Sequence, residues 1–133
     1  MKGKGKPRSG QEIPMDAFPE FLCNSKNRIH AESHYVSGLD GYVFDGADGS
    51  QIILWTGREA GTAEEHSHPY DEYILTVQGE YTLHIGSRKI PLRPGEEYLV
   101  PKGTKHFGER IAHTRTVHAF AGKRAVRESE FKG

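Results

Sequence analysis

From Gly41 to Gly122 short β-type runs alternate with turn residues, and this punctuation constrains the fold more than any other feature of the chain. Residues 41–44 and 50–56 flank Asp45-Gly46-Ala47-Asp48-Gly49. Asp-Gly pairs between two apolar runs mark a hairpin. Residues 73–77 and 80–85 flank Gln78-Gly79 and read as a second hairpin. Gly86-Ser87 opens a turn before residues 88–92, and Pro94-Gly95 opens another before residues 97–100. Residues 114–120 form the last clear strand, ended by Gly122. The sum is about eight to ten short strands with little helix. The 16 glycines and 7 prolines fit that density of turns. An all-β fold follows, a single barrel or sandwich of the jelly-roll type.

The 133 residues suit one domain. Residues 41–122 form its core. Residues 1–12, where lysines alternate with glycines, read as a flexible basic tail. Residues 13–40 read as an N-terminal arm packing on the barrel. Within it a short helical or irregular segment is expected, capped by Asp16 and placing Phe18, Phe21 and Leu22 on one face. Residues 123–133 read as a charged C-terminal tail with room for one short strand or helix.

Lys+Arg and Asp+Glu both number 18, so the overall charge points to neither nucleic acid nor an anionic membrane as partner. No apolar run approaches the roughly 20 residues of a spanning helix. Cys23 is the single cysteine, which excludes an intrachain disulfide. With no signal peptide in view, it points to a cytoplasmic protein. No motif surrounds Cys23, and it reads as an ordinary small apolar residue.

The chemistry concentrates between Gly61 and His106. His66 and His68 lie two apart, so on a strand they share a face. Pro69 forces a bend, and Glu72 returns a carboxylate just before the next strand. His106 follows the turn Pro101-Lys102-Gly103 on a different strand. Three imidazoles and one carboxylate make a mixed N/O site. It suits Fe, Mn, Ni, Co, Cu or Zn as a divalent transition metal and disfavours Ca and Mg. On an octahedral ion this set leaves two positions open for a ligand.

These residues resemble the two motifs of the cupin superfamily, in its small single-domain form. Gly61, His66, His68, Glu72 and Gly79 match the first motif; Gly95, Pro101, Gly103 and His106 match the second. Two departures stand out. Gly61 and His66 are closer by one residue than the family usually has, and Arg110 occupies the place of the usual Asn. The resemblance implies a conserved jelly-roll barrel, metal at the four ligand positions, and often a homodimer.

Other candidates surround this set. With residues 60–68 extended, Glu64 shares the face of His66 and His68, as a base or as a group orienting a ligand imidazole. Tyr70 is placed at the barrel mouth, and Asp71 at a solvent-facing turn. His113 and His118 fall on opposite faces of the last strand, and His118 is the candidate for the cavity. His84 belongs on an outer face. Arg110 and Arg115 are candidate clamps for a substrate carboxylate or phosphate; a surface pair with Glu109 is the alternative for them. Trp55, Tyr81 and Tyr98 supply aromatic walls or packing.

The resemblance, together with the full ligand set, implies two functions. The first is a small metalloenzyme of the oxygenase, isomerase or lyase type, acting on a small polar molecule that coordinates the metal. The second is a non-catalytic, metal-dependent sensor or binder of a small molecule or sugar.

Overall fold

The computed structural model describes residues 16–30 and 39–131. The basic tail at residues 1–12 and the arm residues 13–15 and 31–38 lie outside the described residues, as do 132–133. Among the described residues nine strands carry the fold: β1 (Leu39–Asp45), β2 (Gln51–Gly57), β3 (Gly61–Thr62), β4 (Glu72–Gln78), β5 (Tyr81–Ile85), β6 (Arg88–Leu92), β7 (Glu97–Val100), β8 (Phe107–Arg110) and β9 (Thr114–Phe120). They pair into a five-stranded sheet, β1-β2-β9-β4-β7, and a four-stranded sheet, β3-β8-β5-β6. All pairs are antiparallel. The expected all-β jelly-roll architecture is present.

One hairpin differs from expectation. β1 and β2 pair as the sequence predicts, and β5 and β6 pair across the Gly86-Ser87 turn. β4 and β5 do not pair; β4 lies between β9 and β7, and β5 between β8 and β6. Gln78-Gly79 is therefore the step between the two sheets. The ladder shifts between Thr76 and Gln78, and Gly79 takes φ +78°. A Cβ on Gly79 would lie 2.3 Å from Thr114 Oγ1, so the corner needs glycine for space as well as conformation.

The buried apolar side chains form two clusters. Ile29, Val43, Ile53, Trp55, Phe120 and Ala125 make one, and Ile74, Leu83, Leu92 and Val100 make the other. Strand alternation explains them: odd positions of β1 and β2 and even positions of β4 and β9 point inward. The interior also buries Glu72, Thr76, His68, His106, Arg110 and His118. Buried polar groups are costly unless paired, so this set marks where the barrel gives up apolar packing for chemistry.

The outward positions of the five-stranded sheet are also apolar. Register places Phe44, Ile52, Ala119, Tyr73 and Leu99 in one row across it, with Tyr42, Leu54, Val117 and Leu75 in the next. Ile52 is 47% exposed and Leu99 57%.

The arm departs from its expected helix. It makes two 3₁₀ turns, Glu20–Leu22 and Ser25–Asn27. Pro19 rather than Asp16 precedes the first, and Phe21 is exposed, so the apolar face is not buried as a unit. Phe18 lies under the Arg115 guanidinium at 4.7 Å, and Ile29 enters the core. The charged C-terminal segment packs back on the barrel and ends in a 3₁₀ turn, Glu128–Glu130. Gln51, 1% exposed, anchors it: Oε1 accepts from the Arg124 and Ala125 N–H groups at 2.7 and 2.9 Å.

Gln51→Ala leaves those two N–H groups without their acceptor. A loss of about 2–4 kcal/mol is expected, at about 1–3 kcal/mol per buried orphan group. Urea unfolding followed by circular dichroism measures it; a midpoint unchanged from wild type would show that the segment contributes no stability.

Candidate metal centre

Two loops meet at the site and are stitched by backbone. His66 and His106 form an isolated antiparallel bridge and exchange both N–H···O bonds at 2.9 Å. The Gly103 N–H donates to the His68 carbonyl at 2.8 Å, with Gly103 at φ +80°. Asp71 is exposed, as expected, and its Oδ1 accepts from the Lys102 N–H at 2.8 Å. Each motif turn therefore holds the other in place.

Pairing between these strands gains a residue. Gly61 faces Arg110, Thr62 faces Glu109, and the Ala63 N–H donates to the Gly108 carbonyl, yet His66 then faces His106. One extra residue on the first strand shifts its alternation, as in a bulge. Ala63 consequently lines the pocket and Glu64 is exposed. The expectation that Glu64 shares a face with His66 and His68 is not met. Its contribution is its backbone carbonyl, which accepts from His66 Nδ1 at 2.7 Å.

His66, His68, Glu72 and His106 converge, with one ligand atom from each within 4.8 Å of the others. His106 Nε2 lies 3.0 Å from Glu72 Oε1, and His68 Nε2 lies 3.4 Å from the same oxygen. Neighbouring ligands on an octahedral ion with bonds near 2.1 Å are about 3 Å apart. The proton positions favour a cation between them. His66 and His106 each donate Nδ1–H to a backbone carbonyl, of Glu64 and Thr104, at 2.7 and 2.8 Å. That turns a lone pair on Nε2 towards the carboxylate in the neutral ring. Two acceptors at 3.0 Å repel unless a proton or a metal ion lies between them. His68 Nε2 is buried without a hydrogen-bond partner, which a metal bond would supply. The residues present fit a divalent transition metal.

The same contacts set the electrostatics. Burial pushes the Glu72 carboxyl up, but the imidazoles of His106, His118 and His68 around it outweigh that and hold the group well below its ordinary value. Burial pushes His106 down, but the Glu72 contact and the Thr104 carbonyl raise it overall. Burial dominates at His66 and lowers it to about 4, which keeps this imidazole neutral and able to bind metal.

The pocket beside these ligands encloses about 630 Å³, open mouth included. Thr114, Thr116, His118 and Phe120 of β9 line it, which settles the inward face of that strand. His118 donates Nδ1–H to Glu72 Oε2 at 2.8 Å, while its Nε2 is buried without a hydrogen-bond partner. His113 is exposed and takes φ +61°. Arg110 is buried and lines the pocket. Arg115 points to the outer face and is held by Gln78 at 2.7 Å, so it does not enter the pocket. Glu109 pairs with His84 at 2.8 Å rather than with either arginine. Tyr70 does not line the pocket; it stacks on the far side of His68, ring centroids 5.2 Å apart, with its hydroxyl donating to the Lys123 carbonyl. Trp55 and Tyr81 line the pocket, while Tyr98 packs against the second apolar cluster.

Arg124 also lines the pocket and was not among the sequence candidates. It follows the last strand, in a segment whose return to the barrel depends on Gln51 and leaves no periodic signal.

With fold and site described, the comparisons give the class. The cupin-domain family model matches residues 53–120, more than half of the chain. This protein belongs to the cupin family. No curated protein matches the chain by sequence. Among solved structures it is similar to KdgF from Halomonas sp., at 17% identity and TM-score 0.61, covering 72% of this chain and 94% of that one. A cupin superfamily protein from Desulfitobacterium hafniense DCB-2 aligns at 20% identity and TM-score 0.60, covering 65% and 80%. An RmlC-like cupin from Shewanella frigidimarina NCIMB 400 aligns at 14% and 0.58, covering 77% and 97%. At these identities the likeness is one of fold.

The lowered His66 pKa yields a pH prediction. Between the ordinary value of 6.5 and about 4, the unfolded chain binds a proton at His66 that the folded chain does not. His66 therefore contributes a loss of stability as pH falls through that window. In the metal-free protein an NMR titration of the His66 ring is expected to show a midpoint near 4; a midpoint near 6.5 would contradict the burial argument.

Proposed function

We propose that this cupin holds a divalent transition metal on His66, His68, Glu72 and His106 and acts on a small polar molecule that binds beside it. The observation that carries this reading is the convergence of three imidazoles and one carboxylate, with one ligand atom from each within 4.8 Å of the others. Fe, Mn, Ni, Co, Cu and Zn all suit the donor set. The bound metal supplies a Lewis acid with positions open to a substrate oxygen. The chain supplies the rest. Thr104 and Glu64 carbonyls orient two ligand imidazoles, His118 steadies the Glu72 carboxylate, and Trp55 and Phe120 limit water on one wall. The reaction classes compatible with this arrangement are oxygenase, isomerase and lyase.

A non-catalytic sensor or binder is the second reading. The outward placement of Glu64 favours it, since the candidate base nearest the ligands in sequence faces solvent. The single cysteine fits a cytoplasmic setting. Among the described residues no helix is long and apolar enough to cross a membrane.

Elemental analysis of protein purified without a polyhistidine tag tests the metal reading. Close to one transition-metal ion per chain is expected for wild type, falling at least about tenfold in His66→Ala/His68→Ala, since even the groups that merely orient metal ligands are worth about 10- to 100-fold in affinity. Equal metal content in both proteins would refute it. Oxygen consumption with Fe(II) loaded separates an oxygenase from the other classes.

We also propose that two copies pair through the outer face of the five-stranded sheet. Its row of Phe44, Ile52, Ala119, Tyr73 and Leu99, with Ile52 and Leu99 exposed, is the kind of apolar patch that marks an interface. Ile52→Lys/Leu99→Lys is expected to convert a dimer to a monomer in sedimentation velocity, with the circular dichroism spectrum kept. A wild-type monomer at micromolar concentration would refute it.

A further inference from the structure

The two oxygens of the Glu72 carboxylate meet different partners. Oε1 faces the ligand imidazoles, with His106 Nε2 at 3.0 Å and His68 Nε2 at 3.4 Å. Oε2 faces His118, which is not one of the four ligands, and its Nδ1 lies 2.8 Å away.

The proton inventory also differs between the two sides. An ionised carboxylate has no proton to give, so at Oε2 the imidazole is the donor, through Nδ1–H. The neutral His118 ring then keeps its lone pair on Nε2, which is buried without a hydrogen-bond partner. On the other side His106 commits Nδ1–H to the Thr104 carbonyl and turns a lone pair on Nε2 towards Oε1. His68 Nε2, beside the same oxygen, is buried without a hydrogen-bond partner. One oxygen is therefore supplied with a donor, and the other lies beside the nitrogens that a cation would join to it.

The fold aims His118 at Oε2. β4 and β9 are neighbours in one sheet, with Ile74 opposite His118 and Glu72 opposite Phe120. Glu72 and His118 thus share the inner face on a diagonal, a spacing that long side chains bridge. Two aromatic rings pack against the imidazole. Tyr81 meets it edge-on with centroids 5.3 Å apart, and Phe120 lies 6.1 Å away at an interplanar angle of 28°.

We propose that His118 is a positioning residue that sets how Glu72 binds the metal: with Oε2 held by Nδ1–H, the carboxylate offers the metal Oε1 alone. This rests on the reading of His66, His68, Glu72 and His106 as a metal site. Three imidazoles and a carboxylate chelating through both oxygens would leave one position of an octahedral ion open. Holding the carboxylate to one oxygen leaves two, which admits a ligand that binds through two atoms. A charge-assisted hydrogen bond is strong enough to hold that choice in a buried site.

Co(II) loading of the full chain tests the proposal. His118→Leu removes the donor; His118→Asn keeps an amide N–H close to where Nδ1 stands. Competition with a chromophoric chelator measures Co(II) affinity. A fall of about tenfold or more is expected in His118→Leu, and a value within about threefold of wild type in His118→Asn, since groups that orient a metal ligand are worth about 10- to 100-fold. The infrared difference between Co(II)-loaded and metal-free protein reads the carboxylate itself. Bound through one oxygen, its two stretching bands lie farther apart than in a free carboxylate; chelated through both, they lie closer. The wide pair is expected in wild type and His118→Asn, and the close pair in His118→Leu. Circular dichroism checks the fold of each variant, and if His118→Leu does not fold, the wild-type bands and His118→Asn decide. The proposal is overturned by a close pair in wild type, by wild-type affinity and bands in a folded His118→Leu, or by a loss of more than about tenfold in His118→Asn. A wild-type protein that takes up no Co(II) would overturn the metal reading and this proposal with it; tight uptake with the close pair would overturn this proposal alone.

Discussion

The Glu72 carboxylate is the interaction on which the interior depends. It is 4% exposed, and a lone charge at that depth would be prohibitively costly. His106, 34 residues away in sequence, and His118, 46 away, reach its two oxygens, while His68 approaches from four residues before it. The β4–β9 pairing makes this possible, since Ile74 lies opposite His118 and Glu72 is its same-face diagonal neighbour. An apolar substitute for Glu72 would leave the imidazoles without the group that orients them. The polar pocket exists because these partners arrive together.

That convergence depends on irregular backbone. A regular strand through residues 60–68 would have brought Glu64 inward; the extra residue between Ala63 and His66 turns it out and brings Ala63 in. The corner at Gly79 moves the chain from one sheet to the other, so β4 and β5 cover opposite sides of the interior. Both irregularities lie beside the site, where barrels re-aim side chains. The Arg110 position has a similar dependence: glycine at Gly57 and Gly61 leaves the space its guanidinium fills.

Much of this was legible in the residues. Strand periodicity and turn chemistry announced a β-barrel, because alternation and Gly/Pro punctuation are local properties. The His66, His68, Glu72 and His106 cluster was legible through motif spacing, since those gaps encode one turn and one strand crossing. Where expectations failed, a non-local contact decided. Gln78-Gly79 looks like a hairpin turn from its neighbours alone, and only pairing with β9 and β7 places β4 elsewhere. Arg115 and Arg124 exchange roles for the same kind of reason. Strand parity sends Arg115 outward beneath Phe18, and the Gln51 anchor brings Arg124 back over the pocket.

The amino-acid sequence by itself determined the class of fold, the strand count and the four convergent ligand-type residues. Each of these follows from side-chain chemistry read over a few neighbouring positions. The tertiary structure alone decided which face of β9 points inward, that Glu64 offers a carbonyl rather than a carboxylate, and that two guanidinium groups share the pocket with the imidazoles. Thr114, Thr116, His118 and Phe120 alternate with Arg115, Val117 and Ala119, and neither set is purely apolar. Periodicity could therefore separate the two faces but not orient them. Orientation came from the neighbouring strand, where Glu72 offers His118 a buried partner that solvent could not replace.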